Sequence, residues 1–565
     1  MMAAATARLA VLQLGKESAM KGLMQDWPLL VHTIIDHAAI NHGEAEVVSQ
    51  TVEGPTHRTN YAEINVRSRK LASALKRRGY GFGDVIGTMA WNGYRHIEAW
   101  YAIAGLGAIY HTLNPRLFAE QLDYIVNHGE DRLIFVDLTF VPIIEKLRSK
   151  FTKVRNIVIM TDRAHMPGTS IENALCYEEL LAEGSDDFSW PRFDENTACG
   201  LCYTSGTTGN PKGVLYSHRS NVLHAMMVNF ADAMSLKSID TVLPVVPMFH
   251  ANAWALTFAV PMVGAKMVMP GANLDGESIY NLLNEEKVTF TAAVPTIWLM
   301  LLQHLEKSGG ELPNLERVII GGAACPPAVM EAFENIYDVT VIHAWGMTEM
   351  SPLGTMATMK AGMETLSEED VWAIKLKQGR TPYTVETKVI DDDGKEQPRD
   401  GETSGRLVVR GPAVSREYYK GEGGRILDQE GWFDTGDVGT MDGHGFFQIT
   451  DRAKDVIKSG GEWISSIDLE NVAVGQEAVA EAAVIGIAHP KWDERPLLVI
   501  VLKPGAKATK EDILGYLEGK IAKWWMPDDV AFVDEIPHSA TGKIDKVGLR
   551  RKFEGYVLPT AQAAE

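Results

Sequence analysis

Cysteine is scarce in this sequence of 565 residues, which holds only Cys176, Cys199, Cys202 and Cys325. Four thiols in so long a chain exclude a small secreted fold held by disulfides and favour a reducing compartment, so we expect a cytoplasmic protein. Cys199 and Cys202 form a C-x-x-C pair inside an apolar run. Because an offset of three on a strand directs two side chains to opposite faces, this pair predicts packing in the core.

Positive charge and long apolar runs are also in short supply. The 54 Lys and Arg residues are outnumbered by 74 Asp and Glu residues, giving a formal net charge of -20. This balance opposes general affinity for nucleic acid or anionic lipid, so anionic ligands must be bound at a local site. The longest apolar run, residues 254–265, contains Pro261 and falls short of the roughly 20 residues that a membrane-spanning helix needs. We expect neither a nucleic-acid partner nor a membrane span.

The order of predicted elements indicates an α/β protein. Helix-like and strand-like segments alternate along the chain to about residue 380, a pattern typical of parallel βαβ units. Short β-rich pieces separated by Gly, Asp and Pro follow. Beyond Arg452 another mixed unit begins, in which EDILGYLEGKIAKW predicts one helix at 511–524.

These changes of pattern predict the domain organisation. The length of 565 residues exceeds a single compact core, so two or three domains are expected. We assign residues 20–451 to a large N-terminal domain with a β-rich subdomain from about 380, and residues 452–565 to a small, mobile α+β domain. Residues 1–19 lack the cleavage pattern of an export signal and predict a disordered extension.

The segment YTSGTTGNPKG at 203–213 combines glycines, hydroxyls and one lysine after a strand-like run. Backbone N–H groups and hydroxyls in such a loop can surround phosphate oxygens, and Lys212 adds a positive charge. The loop is not a Walker A motif, because no G-K-[ST] triplet follows Gly206. An ordinary flexible turn is the alternative. The predicted phosphate-binding residues are Thr204, Ser205, Gly206, Thr207, Thr208 and Lys212.

Six further motifs follow in a fixed order along the chain. They are PMFHANAW at 247–254, GGAACP at 321–326, HAWGMTEM at 343–350, WFDTGD at 432–437, DRAKDVIKSGGEWIS at 451–465 and ATGKIDK at 540–546. Together with the loop, they resemble the adenylate-forming superfamily of acyl-CoA synthetases, luciferases and peptide-synthetase adenylation domains, over nearly the whole chain. HPKWDERP at 489–496 resembles the subgroup of bacterial medium-chain acyl-CoA ligases and 3-methylmercaptopropionate-CoA ligases.

The resemblance implies an AMP-forming ligase that uses ATP, Mg²⁺ and coenzyme A. A short- or medium-chain carboxylic acid, with 3-methylmercaptopropionate among the candidates, would first become an acyl-adenylate and then a CoA thioester. Two alternatives stay open: an adenylating enzyme whose acceptor is oxygen or a carrier protein, and a non-catalytic nucleotide-binding scaffold. A homodimer is a further expectation from the same resemblance.

For the first step, the resemblance implies that Lys543 is the adenylation lysine, that Glu349 binds Mg²⁺ and that Thr348 donates to a phosphate oxygen. A lysine suits this task because one ammonium group can bridge a carboxylate oxygen and the α-phosphate. Without the motifs, Lys543 would be read as an exposed lysine and Glu349 as a solvated surface group. Asp437 and Arg452 are expected at the ribose. The other implied ATP-binding residues are Gly322, Ala323, His343, Ala344, Trp345, Gly346 and Met347.

The resemblance also implies an acyl pocket and a path for coenzyme A. The acyl pocket would be lined by His250, Trp254, Gly321 and Trp345. A structural histidine at 250 and a core tryptophan at 345 are the alternatives. For the second step, the C-terminal domain would swing about Lys454 and exchange Lys543 for a CoA-binding loop. That loop comprises Ser459, Gly460, Gly461 and Trp463, for which an ordinary β-turn is the alternative.

Overall fold

A computed structural model of the chain describes residue 20 and residues 22–204, 210–452, 455–459, 462–538 and 544–562, without the side chains of residues 462, 463 and 562. The predicted α/β class is confirmed: two large, mainly parallel sheets are followed by an antiparallel sheet and by a separate mixed sheet. Within these ranges, no helix has both the length and the apolar character needed to cross a membrane.

The first large sheet carries the strand that leads into the 203–213 loop. Its neighbouring strands are parallel except for the last pair, which forms an antiparallel hairpin around that loop. Alternate residues of Leu133–Val136 enter two different core clusters, because both faces of the sheet are covered. In spatial order the strands are Leu175–Cys176, Asn156–Ile159, Leu133–Val136, Val85–Met89, Ile109–Thr112, Ala198–Tyr203 and Gly213–Ser217.

The second large sheet has the same character. Its inner strands are parallel, and only the pair at each edge is antiparallel. In spatial order the strands are Leu353–Met356, Thr340–Gly346, Arg317–Ile320, Phe290–Ala293, Thr241–Pro244, Lys266–Met269, Glu46–Gln50 and Thr56–Asn60.

Asn92 joins the two large sheets at their carboxyl edges. It follows strand Val85–Met89, and its Nδ2 donates to the carbonyls of Pro244 at 2.8 Å and Val246 at 2.9 Å. Its Oδ1 accepts from the Met248 N–H at 2.7 Å. Ligands of parallel α/β sheets bind beyond the carboxyl ends of the strands, so this shared edge is where a site is expected.

The helices connect the strands, and their ends follow local sequence signals. Before Tyr61–Arg77, the Asn60 side chain accepts from the Glu63 N–H at 2.9 Å and so caps the helix. The right-handed α-helices are His32–Asn41, Tyr61–Arg77, Tyr94–Gly105, Ala119–Gly129, Val141–Leu147, Tyr177–Ala182, His218–Val228, Leu256–Val263, Gly276–Glu285, Pro295–Ser308, Pro327–Glu331, Glu368–Leu376, Ser466–Val474, Lys510–Leu517, Lys546–Lys552 and Pro559–Gln562.

Two smaller sheets complete the fold. The antiparallel sheet consists of Glu386–Ile390, Gly405–Arg410, Phe433–Met441 and Phe447–Arg452, where the sequence predicted a β-rich subdomain. The sheet near the C-terminus consists of Glu462–Ile464, Ile457–Ser459, Asp493–Leu502, Val479–His489 and Asp529–Phe532, and a separate core cluster packs on each of its faces.

The prediction of one helix at 511–524 is wrong in its second half. The helix is Lys510–Leu517, and Gly519 follows with a φ of +76°, a left-handed conformation typical of a helix end. A short 3-10 turn at Lys523–Trp525 replaces the predicted continuation.

The prediction for the cysteine pair is confirmed. Cys199 and Cys202 are free thiols and are both buried. They belong to different core clusters on the two sides of their strand, as an offset of three requires. Burial raises the pKa of the Cys202 thiol, which opposes reactivity.

Candidate active site

The base of the 203–213 loop is held in a defined geometry. The hairpin pairs Tyr203 with Gly213. The Thr204 N–H donates to the Lys212 carbonyl at 2.9 Å, and the Lys212 N–H donates to the Thr204 hydroxyl oxygen at 3.2 Å. The Lys212 ammonium lies 4.8 Å from the centre of the Tyr418 ring. The two described ends of the loop are therefore fixed, and the lysine faces an aromatic ring.

Thr348 and Glu349 lie in a short 3-10 turn after strand Thr340–Gly346. The Tyr216 hydroxyl donates to the Thr348 carbonyl at 2.7 Å. Glu349 is 6% exposed, and its Oε1 accepts from the Tyr418 hydroxyl at 2.6 Å. Burial and the Glu349 carboxylate together raise the pKa of Tyr418, so the tyrosine stays a hydrogen-bond donor.

Tyr418 thus contacts both groups for which the sequence predicts phosphate and metal chemistry. Its hydroxyl bonds to Glu349, and its ring faces Lys212. A cavity of about 480 Å³ is lined by strand Gly213–Ser217 and the loop at 412–421, and Glu349 and Tyr418 are part of its wall. Sequence reasoning did not identify Tyr418, because a tyrosine in a β-rich loop carries no signal of this contact.

Asp437 is the centre of a second polar group. Strand Phe433–Met441 pairs Asp437 with Arg452, whose Nε lies 2.9 Å from Asp437 Oδ1. The Trp345 indole N–H donates to Asp437 Oδ2 at 2.9 Å. Asp437 is 1% exposed, whereas the Arg452 side chain is 37% exposed. The structure therefore brings together three residues that the sequence predicts at one nucleotide.

The packing of the Trp345 ring agrees with the alternative interpretation, in which Trp345 is a core residue. The ring packs against Gly354, where an added Cβ would lie 2.5 Å from Trp345 Cζ3, and against Phe447 at 6.3 Å between ring centres. Only its N–H reaches Asp437. A role for Trp345 in the acyl pocket remains a prediction.

The His343 side chain is buried and uncharged, and it forms a hydrogen bond within the protein. Burial lowers the pKa of His343 to about 4, so the ring is neutral near pH 7. Its Nδ1 lies 3.0 Å from the Leu376 carbonyl and must be the protonated nitrogen, since a carbonyl only accepts. His343 Nε2 is then the acceptor nitrogen of the neutral ring.

Gly321 and Gly322 follow strand Arg317–Ile320 and allow two close approaches. A Cβ on Gly321 would lie 2.8 Å from the Ala344 carbonyl oxygen and 3.3 Å from Trp254 Cη2. Gly322 has a φ of +79°, which disfavours any residue with a side chain. We call these two residues the glycine ridge. The predicted neighbours Trp254 and Gly321 do lie together.

The segment that carries Trp254 has an unusual backbone. Ala251, Asn252, Ala253, Trp254 and Ala255 all have positive φ angles, between 43° and 68°. Left-handed geometry costs roughly 1–2 kcal/mol per residue with a side chain, so five such residues approach the net stability of a whole domain. The surrounding structure must therefore fix this turn. It directly follows His250, which has an extended backbone and is half-buried.

The predicted CoA-binding region is described only in part. Strands Ile457–Ser459 and Glu462–Ile464 form an antiparallel hairpin in which Ser459 pairs with Glu462. Arg495 donates from Nη1 to the Ser459 hydroxyl oxygen at 3.2 Å, and Arg495 Nε donates to Asp528 at 2.6 Å. The motif at 489–496 therefore supports this hairpin, a contact that the sequence did not predict.

Four further predicted ATP-binding residues lie on or just after two adjacent strands. Ala344 and Gly346 belong to strand Thr340–Gly346, Met347 follows it, and Ala323 lies three residues beyond strand Arg317–Ile320. Other predicted residues cannot be compared with the structure. The residues that lie outside the described ranges are Ser205, Gly206, Thr207, Thr208, Lys454, Gly460, Gly461 and Lys543, together with the side chain of Trp463.

Comparisons with known proteins agree with this arrangement. Residues 35–419 match the family model described as AMP-binding enzyme, and residues 468–543 match the AMP-binding enzyme C-terminal domain. The chain is 50% identical over 535 residues to a 3-methylmercaptopropionyl-CoA ligase of Ruegeria lacuscaerulensis, covering 95% of this chain and 99% of that protein. It is 45% identical over 544 residues to a medium-chain-fatty-acid-CoA ligase of Ectopseudomonas oleovorans, covering 96% of this chain and 100% of that protein.

A solved structure gives the same result for the fold. The crystal structure of an anthranilate CoA ligase in complex with anthranoyl-AMP superimposes with a TM-score of 0.82 at 25% identity, covering 94% of this chain and 99% of that chain. The family model alone spans more than half of the sequence, and the two ligases match along nearly all of it. The chain therefore belongs to the AMP-binding enzyme family of adenylate-forming proteins.

Proposed function

We propose that the chain is an AMP-forming acyl-CoA ligase that acts on a short- or medium-chain carboxylic acid, with 3-methylmercaptopropionate as the first acid to test. The observation that carries this proposal is the position of Glu349 beside the base of the 203–213 loop, where Tyr418 contacts both Glu349 and Lys212. The names of the two curated relatives favour CoA as the acceptor.

In the first step, the acid carboxylate would attack the α-phosphorus of ATP. A bond from carboxylate oxygen to phosphorus forms, the bond to the β-phosphate oxygen breaks, and pyrophosphate leaves. Lys212 and Thr204 are assigned to the phosphates, and Thr348 is assigned to the α-phosphate. Lys543 is assigned to the attacking carboxylate and the α-phosphate.

The residues present fit a magnesium ion held jointly with ATP. Within the described ranges, no group of three or more His, Cys, Asp or Glu residues could hold a metal alone. Mg²⁺ commonly binds through one or two carboxylates plus substrate phosphates, and Glu349 supplies one such carboxylate. When bound there, Mg²⁺ would offset the negative charge that develops on the phosphates.

In the second step, the CoA thiol would attack the acyl carbon. A carbon–sulfur bond forms, the bond from carbon to the adenylate oxygen breaks, and AMP leaves, while the thiol proton goes to solvent or a base. Ser459, Gly460, Gly461 and Trp463 are assigned to the path of the thiol, with Lys454 as the hinge. His250, Trp254, Gly321 and Trp345 are assigned to the acyl group.

The nucleotide would be held by the remaining predicted residues. Asp437 and Arg452 are assigned to the ribose, since a carboxylate accepts hydrogen bonds from hydroxyls and Asp437 already joins Trp345 to Arg452. The backbone of residues 343–347 and the glycine ridge are assigned to the adenine. A cytoplasmic location and a homodimer belong to the same proposal.

The experiment that tests the function is a panel of acids assayed with ATP, Mg²⁺ and CoA. We expect pyrophosphate release that depends on the acid, and AMP release with a thioester product that depends on CoA. Acid-dependent pyrophosphate release without a CoA thioester would instead favour another acceptor. No pyrophosphate release with any acid would support the scaffold alternative.

Replacing Asp437 by Asn should weaken ATP binding. The amide keeps the shape and can still accept from Trp345, but it loses the charge that pairs with Arg452. A hydrogen bond to a charged group is worth about 1.5–3 kcal/mol, so we expect KM for ATP to rise about 10- to 100-fold. The measurement is the ATP dependence of pyrophosphate release at saturating acid.

The matched control for this variant is Asp434→Asn on the same strand. Asp434 is more exposed and pairs with Arg406 at the surface, so KM for ATP should not change. An Asp437→Asn protein with the parent's KM for ATP would contradict the ribose assignment.

Replacing Tyr418 by Phe should raise the requirement for Mg²⁺. The ring beside Lys212 is retained, while the hydroxyl that donates to Glu349 is lost. A hydrogen bond to a charged group is worth about 1.5–3 kcal/mol, and this one orients the Glu349 carboxylate. Its loss should raise the half-saturating Mg²⁺ concentration at least about tenfold. The measurements are pyrophosphate release as a function of free Mg²⁺, and Mn²⁺ binding in the presence of ATP by electron paramagnetic resonance.

The control is Tyr419→Phe, the same chemical change at the next residue. The ring of Tyr419 packs against His128, with 5.7 Å between the ring centres. Its Mg²⁺ requirement should equal that of the parent. If both variants keep the parent's Mg²⁺ dependence, Tyr418 does not orient the proposed metal ligand.

A further inference from the structure

The left-handed turn at 251–255 requires an explanation beyond its sequence. All five residues have positive φ and are buried, and none is glycine. A right-handed helix, Leu256–Val263, follows at once. Asparagine is among the few residues with side chains that tolerate this conformation, and Asn252 is the one polar residue of the five. Strained segments of this kind often mark functional positions.

The Asn252 side chain is 0% exposed and meets two polar groups from other elements. The Tyr110 hydroxyl donates to Asn252 Oδ1 at 3.4 Å, and Asn252 Nδ2 donates to Asn221 Oδ1 at 3.5 Å. Asn221 Nδ2 in turn donates to the Tyr110 oxygen at 2.8 Å. We call Tyr110, Asn221 and Asn252 the amide network. The two bonds to Asn252 are long, but the side chain is fully buried, and a buried polar group that loses its partner is costly.

Tyr110 is itself fixed by packing. It crosses strand Ala198–Tyr203 at Gly200, where an added Cβ would lie 2.3 Å from Tyr110 Cζ. The Trp100 ring stacks on it at 4.3 Å with an angle of 11° between the planes. Burial raises the pKa of Tyr110, so the hydroxyl keeps its proton and can donate to Asn252 while it accepts from Asn221. Tyr110 is therefore held in place by its neighbours, and the turn is hydrogen-bonded to it through Asn252.

Trp254 follows Asn252 by two residues, and its ring lies against the glycine ridge. The direction of that ring depends on the left-handed backbone, because a right-handed turn would send the side chain elsewhere. We propose that the amide network is a positioning set: it holds the left-handed turn, keeps the Trp254 ring across the glycine ridge, and so limits the length of the acyl chain that binds. This inference rests on the proposed function, in which Trp254 lines the acyl pocket.

Two variants test the network from its two sides. Tyr110→Phe removes one hydroxyl without changing the sequence of residues 251–255, and Asn252→Gly keeps a residue that adopts positive φ while removing the amide. The measurement is kcat/KM for straight-chain acids from propionate to decanoate. We expect the ratio of kcat/KM for the longest accepted acid to kcat/KM for the shortest accepted acid to change about tenfold or more in both variants. A change of this size is the discrimination typical of one methylene group. KM for ATP should stay unchanged.

The matched control is Tyr177→Phe. Tyr177 is also fully buried in the same core cluster, but its hydroxyl donates to Glu98 at 2.8 Å, away from the turn. It should lower activity toward all acids by a common factor, as a purely structural loss does. The same common factor in Tyr110→Phe and Asn252→Gly would overturn the proposal.

A second readout does not depend on turnover. Crystal structures of Tyr110→Phe and Asn252→Gly should each have the Trp254 ring displaced from the glycine ridge. An unmoved ring in both variants would overturn the inference even if the parent forms no thioester. A parent that forms no thioester from any acid would instead contradict the proposed function.

Discussion

A Lys543→Ala protein is expected to lose pyrophosphate release while it still forms thioester from supplied acyl-adenylate and CoA. Lys543, as the proposed adenylation lysine, would neutralise the charge that builds up where the carboxylate and the α-phosphate approach each other. That approach occurs only in the first step. Loss of one preorganised donor to a developing charge typically costs about 10²- to 10³-fold in rate. We expect a loss of that size in acid-dependent pyrophosphate release, measured at saturating ATP and Mg²⁺.

The control for this variant is Lys552→Ala. Lys552 is exposed and ends the helix Lys546–Lys552 in the same C-terminal region, so its removal takes away the same charge from the same part of the chain. Neither half-reaction should change. An equal loss of both half-reactions in Lys543→Ala would contradict the assignment, because it would indicate general damage to the C-terminal part.

The second large effect is expected for Glu349→Gln. The side-chain amide retains an oxygen that can accept from Tyr418, but it has no charge with which to bind Mg²⁺. We expect pyrophosphate release to fall about 10²- to 10³-fold, similar to the loss of other groups that stabilise developing charge. A direct measurement is Mn²⁺ binding by electron paramagnetic resonance with ATP present, which should weaken in parallel.

Glu422→Gln is the control for the metal assignment. Glu422 also accepts a tyrosine hydroxyl, that of Tyr124 at 2.5 Å, and it too is partly buried. The same chemical change there should leave metal binding intact. Normal Mn²⁺ binding in Glu349→Gln would mean that the carboxylate of Glu349 is not a ligand.

Much of the fold could be predicted from local patterns. Buried strands such as Leu133–Val136 appear as short apolar runs, and their alternation with helices indicated the parallel sheets. The motif order predicted that Trp345 and Asp437 would share a site, and the indole N–H does donate to that carboxylate. These features depend on neighbours in sequence or on motifs that recur in the family.

The features that the sequence did not predict depend on contacts between distant residues or on single backbone conformations. The turn at 251–255 is made mostly of alanine, which favours right-handed helix, and its handedness is fixed by Tyr110 and Asn221 from distant parts of the chain. The bond from Tyr418 to Glu349 joins residues 69 positions apart. The helix predicted at 511–524 failed because apolar periodicity continued past Gly519, whose backbone conformation ended it.

The most direct test of the central claim is a crystal structure with ATP and Mg²⁺ bound. We predict that the triphosphate lies against residues 204–212, that the metal lies between its oxygens and the Glu349 carboxylate, and that the ribose hydroxyls face Asp437. A nucleotide bound elsewhere, with residues 204–212 and Glu349 away from any phosphate, would contradict the proposed site and the reaction derived from it.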